Sequence, residues 1–379
     1  MRKIDMAGPD ITQHEIDVVT EAMKTGWHEK PYYYVEKFQN EFAKYHDRNF
    51  AVMTPSCTTA IHLLLTCMGI GEGDEVLVPE CTWIASAAPI TYLGATPVFC
   101  DIERDTWCID PESVERNITG KTKAIIVVDI FGNMPNMNKL IKLSKKYNIP
   151  IVEDAAEAVG SKYHDIRAGK FGIASVFSFH RTKTITTGEG GMILLDDEEL
   201  YKKCMIWRDH GRDGALPERM RDKDQKMYFN DLVTYKYMPC NLLAALGYAQ
   251  FQRINELVAN KRRHLRLYKQ FLKDVPDIVF NQDDSDVYNG AWITTIVVGK
   301  SHNVTKEQII EKMNAEGINV RPFFYPLSML PAFSMHENRI KNPVSYDISS
   351  RGINLPGSAR LSDEDIKFVC DKLKKVLSR

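Results

Sequence analysis

The sequence predicts an α/β protein: a large unit on a mostly parallel central sheet over residues 1–256, then a smaller α+β unit over 257–379. Three observations carry this. Through the first two thirds, short β-branched runs alternate with helical patterns, the pattern expected of parallel strands and their crossover helices. At about Asn255 that alternation gives way to one long amphipathic stretch. Finally, 379 residues with 44% hydrophobic content exceed one minimal core, so a second unit is expected.

Taken in order, "FAVMTP" (50–55) reads as a strand end and "TTAIHLLLTCMGIG" (58–71) as the helix it feeds. "DEVLVPE" (74–80) is a strand, and "ASAAPITYLG" (85–94) after it is helical. Strands follow at "TPVFCDI", "KAIIVVDIFG" and "IPIVEDAAEA"; between the last two, "MNKLIKLSKKYN" places apolar residues at helical spacing. "ASVFSFH" and "GGMILLDD" complete the set. In the second unit "NELVANKRRHLRLYKQFLKDV" is a long amphipathic helix, "AWITTIVVG" a strand and "TKEQIIEKMNAEG" a helix capped by Thr305. The last helix opens with Ser362 and acids and closes with bases, as the helix dipole favours.

Composition excludes several roles. A net charge of −1 gives no electrostatic footprint for nucleic acid or a membrane surface. No apolar run reaches the ~18–20 residues that cross a bilayer, and the N-terminus lacks the apolar core of a signal peptide. Eight scattered cysteines without a CxxC pair suit reduced thiols in the cytoplasm rather than disulfides or a metal site.

Functional groups in a parallel sheet gather at the carboxyl ends of its strands. "MTPSCTTAIHLL" brings a strand, a small-residue turn and a helix N-terminus together around Thr58 and Thr59, which suits a phosphate; an ordinary N-cap is the competing reading. Asp154 ends the run "IVED", where a carboxylate costs desolvation unless a cation, a cap or a pyridinium nitrogen meets it. Lys183 follows the run "FSFH": it is either a snorkelling surface lysine or a partly buried amine able to attack an aldehyde. Trp83 offers a flat face for an aromatic ring. His180 either completes a strand-end hydrogen bond or lines a substrate pocket. "TTGEGG" is no P-loop, since it lacks the GK[ST] ending and precedes a strand; no GxGxxG opens a helix after a strand. As a set, the phosphate grip, acid, aromatic face and lysine are the parts of a pyridoxal 5'-phosphate (PLP) site.

At these residues the chain resembles the DegT/StrS family of sugar aminotransferases, nearly end to end. The resemblance runs through "TGW", "YVEKFQNEFA", "GDEVLVPECTWIASA", "VEDAAEAVGS", "SFHRTKTITTGEGGM" and "RPFFYP"; "RGINLP" resembles the perosamine synthases. It implies the PLP-dependent transferase fold of aspartate aminotransferase type I, acting as a homodimer with active sites at the subunit interface. It implies Lys183 as the Schiff-base lysine and Asp154 as the partner of the pyridine nitrogen. Glu157 falls near the cofactor's phenolic oxygen, where many members have Gln. Thr58, Thr59 and Ser178 match phosphate contacts, and Trp83 the ring-stacking position. From their proximity to the matched motifs, His180, Arg181, Arg321 and Tyr325 are expected at the substrate. There are three departures. Cys57 stands where Gly or Ala is usual, Arg181 where a small residue is common, and Lys236 or Met238 near a phosphate-binding Asn supplied by the partner subunit.

The implied activity is transfer of an amino group from L-glutamate to C4 of a nucleotide-linked 4-keto-6-deoxyhexose, of perosamine or viosamine type. The alternatives are a 3-keto-sugar aminotransferase, a PLP-dependent sugar dehydratase and a non-catalytic sugar-nucleotide-binding protein. The dehydratase branch has histidine in place of the lysine, so Lys183 argues against it.

Overall fold

A computed structural model of the protein describes residues 3–214, 216–221, 226, 228–336 and 342–378. In chain order the large sheet receives β1 (Phe50–Thr54), β2 (Glu75–Pro79), β3 (Thr96–Cys100), β4 (Thr122–Val128) and β5 (Ile151–Asp154). A hairpin of β6 (Lys162–Tyr163) and β7 (Ile166–Arg167) intervenes before β8 (Ala174–Ser178) and β9 (Gly191–Leu195). The spatial order is β1-β9-β8-β5-β4-β2-β3. Neighbours from β8 through β3 are parallel, and only β9 runs antiparallel to its two partners. The expected mostly parallel sheet is therefore present.

Helices α1 (Gln13–Thr25), α2 (Tyr33–Tyr45), α3 (Cys57–Cys67), α4 (Ala88–Tyr92), α5 (Pro111–Asn117), α6 (Met137–Tyr147), α7 (Glu198–Arg208) and α8 (Asn241–Gln252) accompany this sheet. Strand periodicity sorts side chains between its faces. Val52, Val76, Ile126, Val152, Val176 and Ile193 share one core with Ala60 and Leu64 of α3. Their chain neighbours Met53, Leu77, Ile125, Ile151, Phe177 and Met192 share the other with Phe38 of α2 and Ala245 of α8. Because both faces are covered, these strands read as continuous apolar runs.

The second unit holds α9 (Ile254–Phe271), β10 (Ile278–Phe280), β11 (Val287–Tyr288), β12 (Thr295–Val298), α10 (Lys306–Ala315), β13 (Arg321–Pro322), α11 (Pro343–Arg351), β14 (Gly352–Asn354) and α12 (Asp363–Leu377). Its sheet has the order β10-β12-β14-β13, while β11 pairs with β6. Helix α9 spans both cores: Ile254, Leu257 and Val258 join that of α2 and α8, and Tyr268 joins that of α10 and α12. The expected boundary after Glu256 thus falls inside α9. The chain start also joins the second unit, through the bridge between Ile4 and Ile318. The strand expected over 291–299 is shorter, with Ala291 at φ 53 and pairing confined to Thr295–Val298. Thr305 and Ser362 both close capping boxes, with Gln308 and Asp365. Among the described residues no helix is long and apolar enough to cross a membrane.

Candidate active site

The same alternation decides what faces the start of α3. Asp154 shares its parity with Val152, and Ser178 with Val176, so both turn toward the α3 side of the sheet. Ser178 pairs in register with Gly191, and an added Cβ on Gly191 would lie 2.4 Å from the Ser56 carbonyl. The ends of β8 and β9 therefore abut the N-terminus of α3. Ser56 is its N-cap, accepting the Thr59 N–H at 3.2 Å, while the Thr59 hydroxyl donates to the Ser56 carbonyl at 2.8 Å. The first N–H groups of a helix have no partner within it, and the Thr58 hydroxyl bonds to none of the described residues. Cys57, the first residue of α3, is buried. Burial and the carboxylates of Asp154 and Glu157 hold its thiol well above the ordinary range, with Lys183 opposing them.

Asp154 is buried and, among the described residues, served only by neutral donors. The Ser86 hydroxyl donates to Oδ2 at 2.8 Å and the Ala156 N–H to Oδ1 at 3.1 Å. Burial pushes its carboxyl up, partly offset by those two bonds and by the charge of Lys183. Ser86 ends a single 3-10 turn, Ile84–Ser86, whose N-cap is Trp83. The Trp83 side chain is 60% exposed, with its ring 6.0 Å from Phe324.

Lys183 sits on a turn past β8 with a side chain only 12% exposed. Its Nζ donates to Glu157 Oε1 at 3.1 Å and lies 3.7 Å from the ring centroid of Trp292. Glu157 is buried and its carboxyl pushed up by burial, with Lys183 opposing; its second oxygen accepts the Phe131 N–H at 2.9 Å. Of the substrate candidates, His180 lies 2.9 Å from the Thr182 hydroxyl and 3.6 Å from Glu189; burial pushes its imidazole down. The charges of Lys183, Arg181 and Arg321 all reach it. Arg181 is exposed, and Arg321 is exposed on β13; neither has an ion pair among the described residues. Tyr325 turns elsewhere: its ring carries Lys306 Nζ at 4.3 Å and lines a cavity of about 660 Å³ with Tyr346 and Arg351. Its neighbour Phe324 faces the site instead, against Phe131 and Trp83. Lys236 donates to Asp209 Oδ1 at 2.6 Å, and both oxygens of that carboxylate also accept from Nη2 of Arg212.

The model of the DegT/DnrJ/EryC1/StrS aminotransferase family matches residues 9–374. The chain belongs to this family. It is 35% identical to a GDP-perosamine synthase of Escherichia coli O157:H7, over 100% of both chains. A GDP-perosamine synthase of Caulobacter vibrioides is also 35% identical, over 99% of this chain and 98% of its own. Among solved structures, the putative sugar aminotransferase Spr1654 of Streptococcus pneumoniae in its PMP form superposes with a TM-score of 0.90. It is 28% identical and covers 99% of both chains. The sequence resemblance and the expected transferase fold are both borne out.

Three residues of this family member carry the site without any local sequence signal. Ser86 reads as an ordinary small residue in a helical stretch. Phe131 and Trp292 read as core apolar residues of "KAIIVVDIFG" and "AWITTIVVG". Ser86 reaches Asp154, Phe131 reaches Glu157 and Trp292 reaches Lys183, each only through the topology.

Proposed function

We propose that this aminotransferase uses PLP to move an amino group from L-glutamate to C4 of a nucleotide-linked 4-keto-6-deoxyhexose. The product is of perosamine or viosamine type, for surface-glycan biosynthesis. The observation that carries the reading is Asp154: a buried carboxylate bonded only by neutral donors, in one cluster with Lys183 and the start of α3. A protonated pyridine nitrogen is the cation such a carboxylate lacks.

The donor set fits the cofactor elsewhere too. Lys183 would hold it through Nζ, with Thr58, Thr59 and Ser178 at its phosphate, Trp83 against its ring and Glu157 beside its oxygen. Bound there, PLP supplies an aldehyde carbon and an electron-accepting ring. Asp154 would hold a proton on the pyridine nitrogen, which would let the ring take up negative charge. Glu157 aims Nζ of Lys183, which serves as base and then acid for the transferred proton. Phe131, Phe324 and Trp292 wall the amine off from water. Arg181 and Arg321, exposed and without carboxylate partners among the described residues, suit the diphosphate of a sugar nucleotide, with His180 neutral beside them.

The similarity to two GDP-perosamine synthases makes GDP the first nucleotide to test. A second copy of the chain completes the assembly; exposed Tyr228 and Val233 are the apolar surface a partner would cover. Eight free cysteines, seven of them buried, suit the reducing cytoplasm.

The test is a panel of GDP-, dTDP- and UDP-linked 4-keto and 3-keto sugars with glutamate, read by product mass and by the carbon bearing nitrogen. A 4-amino product from one 4-keto substrate is expected. Absence of any 4-amino product overturns the regiochemistry. Lys183→Ala should lose at least about a thousandfold in kcat; near-wild-type turnover would remove Lys183 from its role.

A further inference from the structure

Five contacts close a loop around the amine of Lys183. Nζ meets Glu157 Oε1 at 3.1 Å. The other oxygen of Glu157 takes the Phe131 N–H at 2.9 Å. The Phe131 ring stacks with Trp292 at 6.3 Å and 17°. The Trp292 indole N–H donates to the Thr182 carbonyl at 2.7 Å, one residue before Lys183. The indole face then meets Nζ at 3.7 Å. Phe131 serves two of these contacts by adopting φ 54, a conformation that is unfavourable for a bulky side chain and persists only when its surroundings fix it.

We propose that Trp292 is a positioning residue for Lys183: its indole face holds the amine in the cleft whenever Nζ is not bonded to the cofactor. The role rests on Lys183 being the cofactor lysine. A buried ammonium must replace its lost hydration, and Glu157 offers one carboxylate. The indole face, itself 9% exposed, supplies attraction from the opposite direction. Its N–H fixes it to the very turn that carries Lys183, so amine and indole keep one frame. The contact also links the units, because Trp292 lies between β11 and β12 while Lys183 follows β8.

Two variants separate the π face from bulk. Trp292→Phe keeps a face and loses the indole N–H; Trp292→Leu keeps apolar volume and loses the face. The cofactor-free protein labelled with 13Cε-lysine is observed by NMR, the Lys183 resonance being assigned by its loss in Lys183→Met. That resonance should be shifted by the ring in wild type, less so in Trp292→Phe, and return to the ordinary lysine position in Trp292→Leu. In the holoenzyme, Trp292→Leu should lower kcat at least about tenfold with KM of both substrates within about twofold, whereas Trp292→Phe stays within about threefold of wild type. A Lys183 resonance unmoved by Trp292→Leu overturns the proposal, as does a raised KM at unchanged kcat. Failure of the cofactor reading shows separately: wild type would take up no PLP while the resonance still moved. If Trp292→Leu does not fold, the Trp292→Phe resonance and kcat decide alone; a resonance identical to ordinary lysine, or a kcat loss beyond tenfold, counts against the face.

Discussion

Asp129 is fully buried just past β4, and neither of its carboxyl oxygens has a donor partner among the described residues. It turns to the α2 side of the sheet, where the Glu153 carboxylate takes the N–H groups of Gly169 and Phe171 at 2.8 and 2.9 Å. Two buried acceptors side by side are incompatible unless one carries a proton. Burial, then the charge of Glu153, pushes the Asp129 carboxyl well up, and a proton there makes it a donor to Glu153. The sign follows from linkage. A carboxyl raised in the folded state favours folding fully below its unfolded value of about 4, and loses that contribution as pH climbs toward the folded value. Asp129→Asn supplies an amide donor that does not titrate. Relative to wild type, its stability should therefore rise with pH between about 5 and 8, by up to about 1.4 kcal/mol per pH unit. Melting curves across that range check this; a variant-minus-wild-type stability that stays constant or falls as pH rises would mean that Asp129 carries no such proton.

At the scale of elements, an acid ends each of four parallel strands: Glu80 after β2, Asp101 after β3, Asp129 after β4 and Asp154 in β5. In the sequence all four look alike, and only the motif around Asp154 separates it from the rest. The strands of the large sheet and helices α3, α4 and α6 were legible because their patterning is local; α1, α2, α7 and α8 were not read from the sequence. Lys183 and the start of α3 were legible because small and polar residues follow apolar runs. Ser86, Phe131 and Trp292 were not, because each looks ordinary among its chain neighbours and gains its partner across the fold. Nor does adjacency in "RPFFYP" reveal that Phe324 meets Phe131 and Trp83 while Tyr325 meets Lys306. The meeting of β9 with α3 was equally hidden, and it carries its own prediction. In Gly191→Ala the new Cβ would meet backbone atoms of Ser56 and Cys57 at 2.4 to 2.6 Å, which cannot yield as a flexible side chain does. The start of α3 must shift, at a cost of about 1–3 kcal/mol typical of overpacking. PLP affinity, read by absorbance titration, should fall about tenfold or more with the fold retained. Unchanged affinity would show that the start of α3 does not grip the phosphate.

Across the whole molecule, two of those strand-end acids join the large sheet to the second unit. Glu80 accepts the N–H and hydroxyl of Ser328 at 2.8 and 2.6 Å and the Asn342 amide at 2.6 Å; its own carbonyl takes the Leu327 N–H. Asp101 accepts the N–H and hydroxyl of Ser345 and the N–H of Val344. The ends of β2 and β3 thus fix points on both sides of α11's entry, just after Phe324 has joined the aromatic wall of the site. Burial, with the charge of Asp101, pushes the Glu80 carboxyl up, and the Ser328 N–H, the Ser328 hydroxyl and the Asn342 amide hold it back. Glu80→Ala would remove the acceptor of the Ser328 N–H and of one bond of the Asn342 amide, whose other bond goes to the Phe99 carbonyl. Hydrogen bonds to a charged group contribute about 1.5–3 kcal/mol, so local opening should become about 10- to 100-fold more frequent. Amide exchange at Leu327 and Ser328 should accelerate by that factor while Val152 and Val176 in the central strands keep their protection. Equal acceleration at all four amides would mean that Glu80 supports the fold as a whole and not the docking of the second unit.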